Sequence, residues 1–445
     1  MEKILVKNAT IIDSGSSREA DILICDGVIE KIDTSIGLSP STRLVQADGM
    51  YVLPGVIDTH VHFRDPGLTH KATFGSESLA AVAGGVTTVV DMPNNIPATT
   101  SIEAFEGKCA IARETSAVNY SFMIGATKDN IDEIKKIDVK RVAAVKLFMG
   151  SSTGDMALKD DEALETLFKE SPVMIATHCE DDAVIARNMA EAREKYGEDI
   201  PAALHAQIRS SEACYNSSLR AVKLARKTGC RLHLLHISTE KELELLKDEV
   251  YNAHKKITGE ACSHHLFFCD EDYKRLGNMI KVNPSVKTAS DREAIWNAVI
   301  SGRIDTVATD HAPHTWEEKN RPYGTCPSGG PMIQHSLLAM MDEVARGRIS
   351  IETVVERMCH TPARLFQMKN RGYIKEGYYA DMTMVELNSP WRVHREGLLS
   401  KCGWSAMEDR MFSSRVRMTM VGGRLAYVNG QAVRAGGERE IEFDR

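Results

Sequence analysis

The sequence predicts an α/β protein that consists of a (β/α)8 TIM barrel and a small β-sandwich domain built from both chain termini. Three observations support this fold class: the length of 445 residues, a middle section in which apolar strand-like runs alternate with long amphipathic stretches, and short strand-like runs with turn residues at both ends. A chain of this length exceeds the size at which a single core usually keeps growing. We therefore expect one large and one small domain.

Residues 1–52 and 371–445 are predicted to form the small β domain together. At the N-terminal end, short apolar runs are separated by Ser-Gly and Asp-Gly turns, which is typical of antiparallel strands. At the C-terminal end, Asn429-Gly430 lies between two apolar runs and predicts a β-hairpin. The barrel, at residues 53–370, is then inserted between the two parts of the small domain.

Eight apolar runs in the middle section have the length and composition of buried strands. They are residues 56–59, 86–91, 119–124, 142–148, 173–177, 231–235, 256–260 and 306–309. Amphipathic stretches separate these runs, which is the pattern of repeated strand-helix units around a parallel sheet. Eight such units favour a closed barrel.

Composition and charge narrow the class of protein. Hydrophobic residues make up 43% and charged residues 26% of the chain, an ordinary globular balance. A formal net charge of -7 argues against a nucleic-acid surface, and no apolar segment is long enough to span a membrane. The ten cysteines include no Cys-x-x-Cys pair, and the N-terminus has no signal-peptide pattern, so we expect reduced thiols and a cytoplasmic protein.

Polar side chains follow the predicted barrel strands, at the rim where the chemistry of such barrels is found. They are His60 and His62 after the first run, Asp91 and Asn94 after the second, Lys146 within the fourth, His178 after the fifth, His236 after the sixth and Asp310 after the eighth. Residues two apart on a strand point to the same side, so His60 and His62 converge. A single buried histidine can be a core residue, but imidazoles and a carboxylate at one rim predict a divalent metal site.

Four motifs carry a resemblance to a known family over nearly the whole chain. They are Pro54-Gly55-Val56-Ile57-Asp58-Thr59-His60-Val61-His62, Gly84-Gly85-Val86-Thr87-Thr88, Thr309-Asp310-His311-Ala312-Pro313-His314 and Ala380-Asp381. In this order they resemble the cyclic amidohydrolases of the amidohydrolase superfamily and, within that group, the dihydroorotases. The resemblance implies reversible interconversion of N-carbamoyl-L-aspartate and (S)-dihydroorotate in de novo pyrimidine biosynthesis.

The resemblance also implies a binuclear metal centre, usually of zinc. His60, His62 and Asp310 are expected on one ion, and His178 and His236 on the other. Members of the superfamily differ in the group that bridges the two ions. Lys146 matches the carboxylated lysine of several relatives, and a carbamate would replace a costly buried cation by two metal-binding oxygens. Asp155 is the alternative bridge.

Four residues are expected to bind the substrate. Dihydroorotate carries a carboxylate, for which a guanidinium fork is the natural partner, and Arg64 lies one further step along the strand face of His60 and His62. In the dihydroorotase pattern, Asn94 and His314 share this carboxylate with the arginine. Asn283 matches a further substrate contact, although Asn-Pro-Ser-Val-Lys stands here in place of the commoner Asn-Pro-Pro-Leu-Arg.

The predicted mechanism uses a hydroxide shared by the two ions, with Asp310 as general base and then general acid. An allantoinase or a dihydropyrimidinase (hydantoinase) is the alternative among enzymes. A catalytically inactive barrel that serves as a scaffold for aspartate transcarbamoylase is the alternative of another class, but the chain retains every expected metal ligand. As an enzyme, the protein is expected to bind a small-molecule substrate, and a homo-oligomer is compatible with the sequence. His264 and His265 stay unassigned.

Overall fold

A computed structural model describes residues 2–150 and 156–445 of the chain. Its main strands form a parallel barrel from the middle of the chain and a nine-stranded mixed sheet from both ends. The predicted fold class, a barrel with a small β unit built from both termini, is thereby confirmed. Asp155, the alternative to Lys146 as a bridging ligand, lies outside the described residues.

The first five strands belong to the mixed sheet. They are β1 (Lys3–Asp13), β2 (Ser16–Cys25), β3 (Val28–Asp33), β4 (Thr42–Gln46) and β5 (Tyr51–Pro54). β1, β2 and β3 follow one another in antiparallel pairs. The prediction that this whole section is antiparallel is wrong, because β4 and β5 each pair with β1 in parallel. The connections before β4 and β5 return the chain to the same end of the sheet, so the next strand runs in the direction of β1.

Nine described strands form the barrel wall, and each overlaps one of the eight predicted runs. They are β6 (Val56–Val61), β7 (Val86–Asp91), β8 (Asn119–Phe122), β9 (Ile124–Gly125), β10 (Val145–Met149), β11 (Ile175–Cys179), β12 (Leu232–Leu234), β13 (Ile257–Cys262) and β14 (Thr306–Ala308). β8 and β9 are separated only by Met123 and together occupy the third position. The recorded pairs between neighbouring positions are parallel. The ring closes between its first and last positions, where the His62 amide donates to the His311 carbonyl at 2.8 Å.

Most of the α-helices of the described residues lie between consecutive barrel strands or directly after the last one. They are α1 (Phe74–Ala83), α2 (Ile102–Thr115), α3 (Ile131–Ile134), α4 (Asp161–Glu170), α5 (Asp182–Tyr196), α6 (His205–Ile208), α7 (Ser211–Thr228), α8 (Ser263–Phe267), α9 (Tyr273–Leu276), α10 (Ala289–Ser301), α11 (Trp316–Lys319), α12 (Ser336–Ala345), α13 (Ile351–Val355) and α14 (Thr361–Phe366). Several begin at a Ser, Thr or Asp cap whose side chain accepts a first-turn N–H, as at Thr73 and Thr288. None of these helices is long and apolar enough to cross a membrane.

Shorter helical segments complete the list. A π-helix, Glu356–His360, joins α13 to α14, and 3-10 helices lie at Ala202–Leu204, Lys241–Leu245, Asp270–Asp272, Gly277–Ile280 and Arg395–Gly397. The connection between β12 and β13 contains a 3-10 helix where the other long connections contain α-helices.

The last six strands return the chain to the mixed sheet and add a two-stranded ribbon. They are β15 (Met382–Glu386), β16 (Trp391–Arg392), β17 (Met411–Phe412), β18 (Arg415–Val421), β19 (Arg424–Val428) and β20 (Gln431–Ala432). β15 pairs with β5, so both chain ends share one sheet of order β20-β19-β18-β15-β5-β1-β2-β3 and one apolar cluster. The hairpin predicted at Asn429-Gly430 is confirmed: both residues have positive φ, and Val428 pairs with Gln431. We keep residues 1–52 with 371–445, and 53–370, as the proposed domains.

The carboxylate of Asp381 connects the barrel to the mixed sheet. It accepts hydrogen bonds from Asn119 Nδ2 in β8 at 3.1 Å, from the Gly422 amide at 2.7 Å and from the Arg371 guanidinium. Asp381 and Arg371 are both buried. The Ala-Asp motif therefore satisfies three buried donors that lie far apart in the sequence.

Replacement of Asp381 by alanine should destabilise the protein strongly, because it leaves a buried guanidinium and two buried N–H groups without an acceptor. We expect the free energy of unfolding to fall by about 3–5 kcal/mol, the usual penalty for breaking a buried ion pair. Urea denaturation followed by circular dichroism measures this loss. In the control Glu442→Ala, an exposed ion pair with Lys369 is removed, and the urea midpoint should stay nearly constant. Equal midpoints for the two variants would contradict the role of Asp381.

Candidate metal centre and its cavity

The carboxyl ends of the barrel strands meet at a cavity of about 170 Å³. The cavity is lined by all ten residues that the sequence indicated as ligands or substrate contacts: His60, His62, Arg64, Asn94, Lys146, His178, His236, Asn283, Asp310 and His314. Phe148, Ala312, Pro327, Ser328 and Gly329 complete the wall. The structure thus brings the ten residues together, and the role of each one remains a prediction.

One group of possible metal ligands consists of His60, His62 and Asp310. The Nε2 atoms of His60 and His62 lie 3.2 and 3.0 Å from Asp310 Oδ1, and the ligand atoms of the three residues all lie within 4.8 Å of one another. The alternation of β6 places both imidazoles on the same side of the strand. This spacing allows one metal ion to contact all three side chains.

Acceptors behind these two histidines determine which ring nitrogen faces the cavity. Glu260 Oε1 lies 2.7 Å from His60 Nδ1, and Asn94 Oδ1 lies 2.6 Å from His62 Nδ1. Since each acceptor keeps the ring proton on Nδ1, the Nε2 lone pairs point towards Asp310. Asn94 therefore supports a ligand, and any hydrogen bond that it donates to a substrate would come from its amide Nδ2.

A second group of possible ligands consists of His178 and His236. His178 Nδ1 and His236 Nε2 lie 2.9 Å apart, and His178 Nε2 lies 3.0 Å from Glu180 Oε2. Arg209 pairs with the same carboxylate. Glu180 thus fixes the proton of His178 on Nε2 and leaves Nδ1 for the cavity. The rings of His60 and His236 are 5.3 Å apart between centroids, so the two groups adjoin.

Burial favours the neutral form of His62, His178 and His236. It lowers the pKa of His62 to about 4, and it also lowers the pKa values of His178 and His236. Neutral imidazoles have the free lone pair that metal binding requires. Burial alone would raise the pKa of the Asp310 carboxyl, but the facing imidazoles of His60 and His62 hold it well below its usual range. The cavity therefore presents imidazole nitrogens and an ionised carboxylate.

Lys146 projects from β10 into the same cavity and is only 1% exposed. Within residues 2–150 and 156–445, its Nζ has no hydrogen-bond partner and no carboxylate oxygen within 4.0 Å; it lies 4.7 Å from the centroid of the Phe148 ring. Burial lowers the pKa of Lys146 to about 8. A buried amine without a partner is costly as an ammonium ion, which suits conversion to a carbamate.

Arg64 and His314 lie together on another part of the cavity wall. Arg64 Nη2 is 3.1 Å from His314 Nε2, and Arg64 Nε donates to the Pro313 carbonyl at 3.1 Å. Arg64 makes no ion pair with Asp65 in the described structure, and the Asp65 carboxylate accepts from the Phe74 amide at 3.4 Å. Burial lowers the pKa of Arg64 to about 10, which still leaves a cation at neutral pH.

Asn283 is the fourth predicted substrate contact. Its Oδ1 atom is buried and has no hydrogen-bond partner in the part of the chain that the structure describes. Buried amide oxygens without a donor are rare, so this atom is suited to a donor that a ligand supplies.

The structure also identifies supporting residues that the sequence reasoning missed. Glu260 lies at the end of the seventh predicted run, so the strand-end rule could have found it. Glu180 lies two residues after His178 and had a similar signal. No pattern in the sequence indicated a role for buried Lys319. Its Nζ donates to the carbonyls of Lys281, Pro327 and Gly329 at 3.2, 3.1 and 2.8 Å and so fixes the loop beside the cavity.

Three site residues have positive φ, which non-glycine residues adopt rarely. They are Arg64 at 68°, His236 at 37° and Asp310 at 48°. Such conformations often concentrate at functional sites, where the surrounding structure holds them. His264 and His265, by contrast, are buried outside the cavity lining with their ring centroids 4.2 Å apart and remain unassigned.

Comparison with known proteins identifies the family of this chain. The family model described as "Amidohydrolase family" matches residues 51–426, which include every strand of the barrel. The chain belongs to the amidohydrolase family. The position of the cavity at the ends of the barrel strands and the types of residue that line it agree with membership of this family.

Individual relatives of this amidohydrolase have different names. It is 32% identical over 419 residues to a dihydroorotase of Methanosarcina mazei, covering 92% of this chain and 91% of that protein. It is also 32% identical over 439 residues to an allantoinase of Bacillus velezensis, covering 97% of this chain and 96% of that one. The L-hydantoinase (dihydropyrimidinase) structure from Arthrobacter aurescens matches with a TM-score of 0.94 at 28% identity, over 99% of this chain and 100% of that one. Overall similarity therefore extends to relatives with three different names, and the residues of the cavity wall are needed to choose among their substrates.

Proposed function

We propose that this amidohydrolase is a dihydroorotase, which interconverts N-carbamoyl-L-aspartate and (S)-dihydroorotate in pyrimidine biosynthesis. The observation that carries the proposal is Arg64, buried on the cavity wall and 3.1 Å from His314. A buried guanidinium calls for an anion, and dihydroorotate carries a carboxylate on its ring. Allantoin, dihydrouracil and hydantoin lack that carboxylate. The similarity to the Methanosarcina dihydroorotase supports the same choice.

We further propose that the cavity holds two divalent metal ions, of which zinc suits the ligands best. His60, His62 and Asp310 would hold one ion and His178 and His236 the other, with Lys146 carboxylated as the bridge. The contacts of Glu260, Asn94 and Glu180 with the rings of His60, His62 and His178 support this assignment. When bound, such ions lower the pKa of a water molecule and polarise a carbonyl group.

The side chains of this chain then divide the remaining tasks. Arg64, His314 and Asn283 orient the ring, with its carboxylate against the guanidinium. As water adds to the ring carbonyl carbon, the Asp310 carboxylate accepts a proton from it. Asp310 returns this proton to the ring nitrogen as the carbon–nitrogen bond breaks, which opens the ring to N-carbamoyl-L-aspartate. The reverse sequence closes the ring.

Allantoinase or hydantoinase activity is the alternative within the family, and relatives with both names are similar to the whole chain. Either alternative leaves the buried cation of Arg64 without an anionic partner from the substrate. An inactive scaffold beside aspartate transcarbamoylase is a further alternative, and the intact set of ligand residues around the cavity argues against it.

Replacement of Arg64 by alanine tests the substrate assignment. We expect kcat/KM for dihydroorotate to fall by about 10²-fold or more, because truncating one partner of a buried charge pair costs roughly 2–5 kcal/mol. Parallel assays with dihydrouracil and allantoin provide the comparison. Any turnover of these two substrates by the wild type should not fall comparably in the variant. Metal analysis and circular dichroism of the variant provide the controls. An equal loss on all three substrates would mean that Arg64 is structural and would contradict the assignment.

A further inference from the structure

Lys71 and Glu318 lie behind His314, on the side of the ring that faces away from the cavity. Lys71 Nζ is 3.1 Å from His314 Nδ1 and 3.1 Å from Glu318 Oε1, while Glu318 Oε2 is 3.5 Å from the same ring nitrogen. His314 lines the cavity, whereas Lys71 and Glu318 are not among the described residues that do. The two side chains thus contact His314 without reaching the substrate space.

The other ring nitrogen of His314 faces the cavity side. Its Nε2 atom lies 3.0 Å from the Ser328 carbonyl oxygen and 3.1 Å from Arg64 Nη2. Burial, together with the charges of Arg64 and Lys71, lowers the pKa of His314 well below its usual range. The ring is therefore neutral at physiological pH and carries one proton, on either Nδ1 or Nε2.

The neighbours of the ring decide between the two tautomers. The Lys71 ammonium can only donate, and the Ser328 carbonyl can only accept. Both of these short contacts are satisfied when Nδ1 accepts from Lys71 and Nε2–H donates to Ser328. In that tautomer, Arg64 Nη2 and His314 Nε2 are both donors that face the cavity wall at a separation of 3.1 Å. A carboxylate is the group that can accept from both, with the Nε2–H bond shared between it and the Ser328 carbonyl.

We propose that Lys71 is a positioning and specificity-determining residue, which fixes the tautomer of His314 so that Nε2–H donates to the carboxylate of the substrate. The inference rests on the proposed dihydroorotase function and extends it to a residue outside the cavity. Glu318 holds the Lys71 ammonium in place. Without Lys71, Glu318 is the remaining partner of Nδ1 and draws the proton to that atom. His314 then accepts from Arg64 and no longer donates to the substrate.

The variant Lys71→Met tests this assignment through both substrate binding and ring chemistry. We expect KM for dihydroorotate to rise by about tenfold or more, the fold-change that one hydrogen bond to a charged group contributes, with kcat changed much less. Any turnover of dihydrouracil should stay at the wild-type level. ¹⁵N NMR of histidine-labelled protein should show the His314 proton on Nε2 in the wild type and on Nδ1 in the variant, with the signal assigned through His314→Gln.

A double variant separates this role from a loss of loop stability. In Lys71→Met with Glu318→Gln, the new amide can donate to His314 Nδ1, so both the Nε2–H tautomer and the low KM should return. The matched control is Lys401→Met, which removes an exposed lysine that donates to the Thr69 carbonyl at 2.6 Å in the same loop without touching His314. Its KM should equal that of the wild type.

Three results would overturn the inference: an unchanged KM in Lys71→Met, an equal loss on charged and uncharged substrates, or a wild-type His314 with its proton on Nδ1. Failure of the proposed function is distinguishable, because the wild type would then turn over neither dihydroorotate nor N-carbamoyl-L-aspartate. The NMR measurement on wild type and Lys71→Met still decides the tautomer in that case.

Discussion

Replacement of Asp310 by asparagine is expected to lower kcat for dihydroorotate by about 10³-fold or more, within the range that a positioned acid–base group contributes. The carboxylate lies 3.2 and 3.0 Å from the Nε2 atoms of His60 and His62 and is held ionised. Asparagine keeps the shape of the side chain but cannot take up a proton at neutral pH. Steady-state kinetics in both directions, with metal analysis of the same sample, measures the effect.

A second aspartate near the opposite end of the same strand provides the matched control. Asp305 precedes β14; it accepts from Lys255 Nζ and from the Gly259 amide, each at 2.9 Å, on the face of the barrel that serves stability. Asp305→Asn should lower the unfolding midpoint and leave kcat close to the wild-type value. Near wild-type turnover in a metal-loaded Asp310→Asn variant would contradict the proposed proton transfer.

Replacement of Lys146 by methionine should abolish both the proposed bridge and most of the activity. Methionine fills the space of the buried lysine but cannot react with carbon dioxide. We expect the metal content to fall below two ions per chain and kcat to fall by about 10²-fold or more, because bridging ligands position the ions that activate water. Protein prepared in ¹³C-bicarbonate should show a carbamate NMR signal that is absent from Lys146→Met.

The pKa of Lys146, about 8, gives this prediction a pH dependence. Only the neutral amine adds carbon dioxide, so carbamate formation in metal-free protein should increase as the pH rises from 7 to 9. Lys319 is the control lysine, since it is fully buried but donates to three backbone carbonyls. The signal should persist in Lys319→Met. A signal that survives in Lys146→Met would assign the carbamate elsewhere.

The sequence predicted the barrel and the composition of the cavity wall well, because both follow from local patterns. A polar residue at the end of a parallel strand reaches the common rim whatever the details of packing, which is why His178, His236 and Asp310 could be grouped from their positions alone. The motif around His60 and His62 then narrowed the chemistry.

What could not be predicted depends on long-range contacts and on backbone direction. Glu260 supports His60 across 200 residues, and Lys71 reaches His314 across 243, with no pattern in the sequence that links either pair. The parallel pairing of β4 and β5 with β1 depends on how the connections turn, which apolar periodicity does not encode. The positive φ of Arg64 and Asp310 likewise arises from the surrounding fold.

The closure of the barrel between its first and last strands has a consequence for assembly. Across this seam, His62 faces Asp310 and Arg64 faces His314. The second pair is separated by 250 residues of chain. The pocket is therefore incomplete until the last strand docks on the first. Any ligand that binds both sides of the seam stabilises only the closed ring, so its binding adds to the stability of that ring against opening. An open ring lacks one side of each pair and releases such a ligand, which makes occupancy a direct reporter of whether the ring is closed.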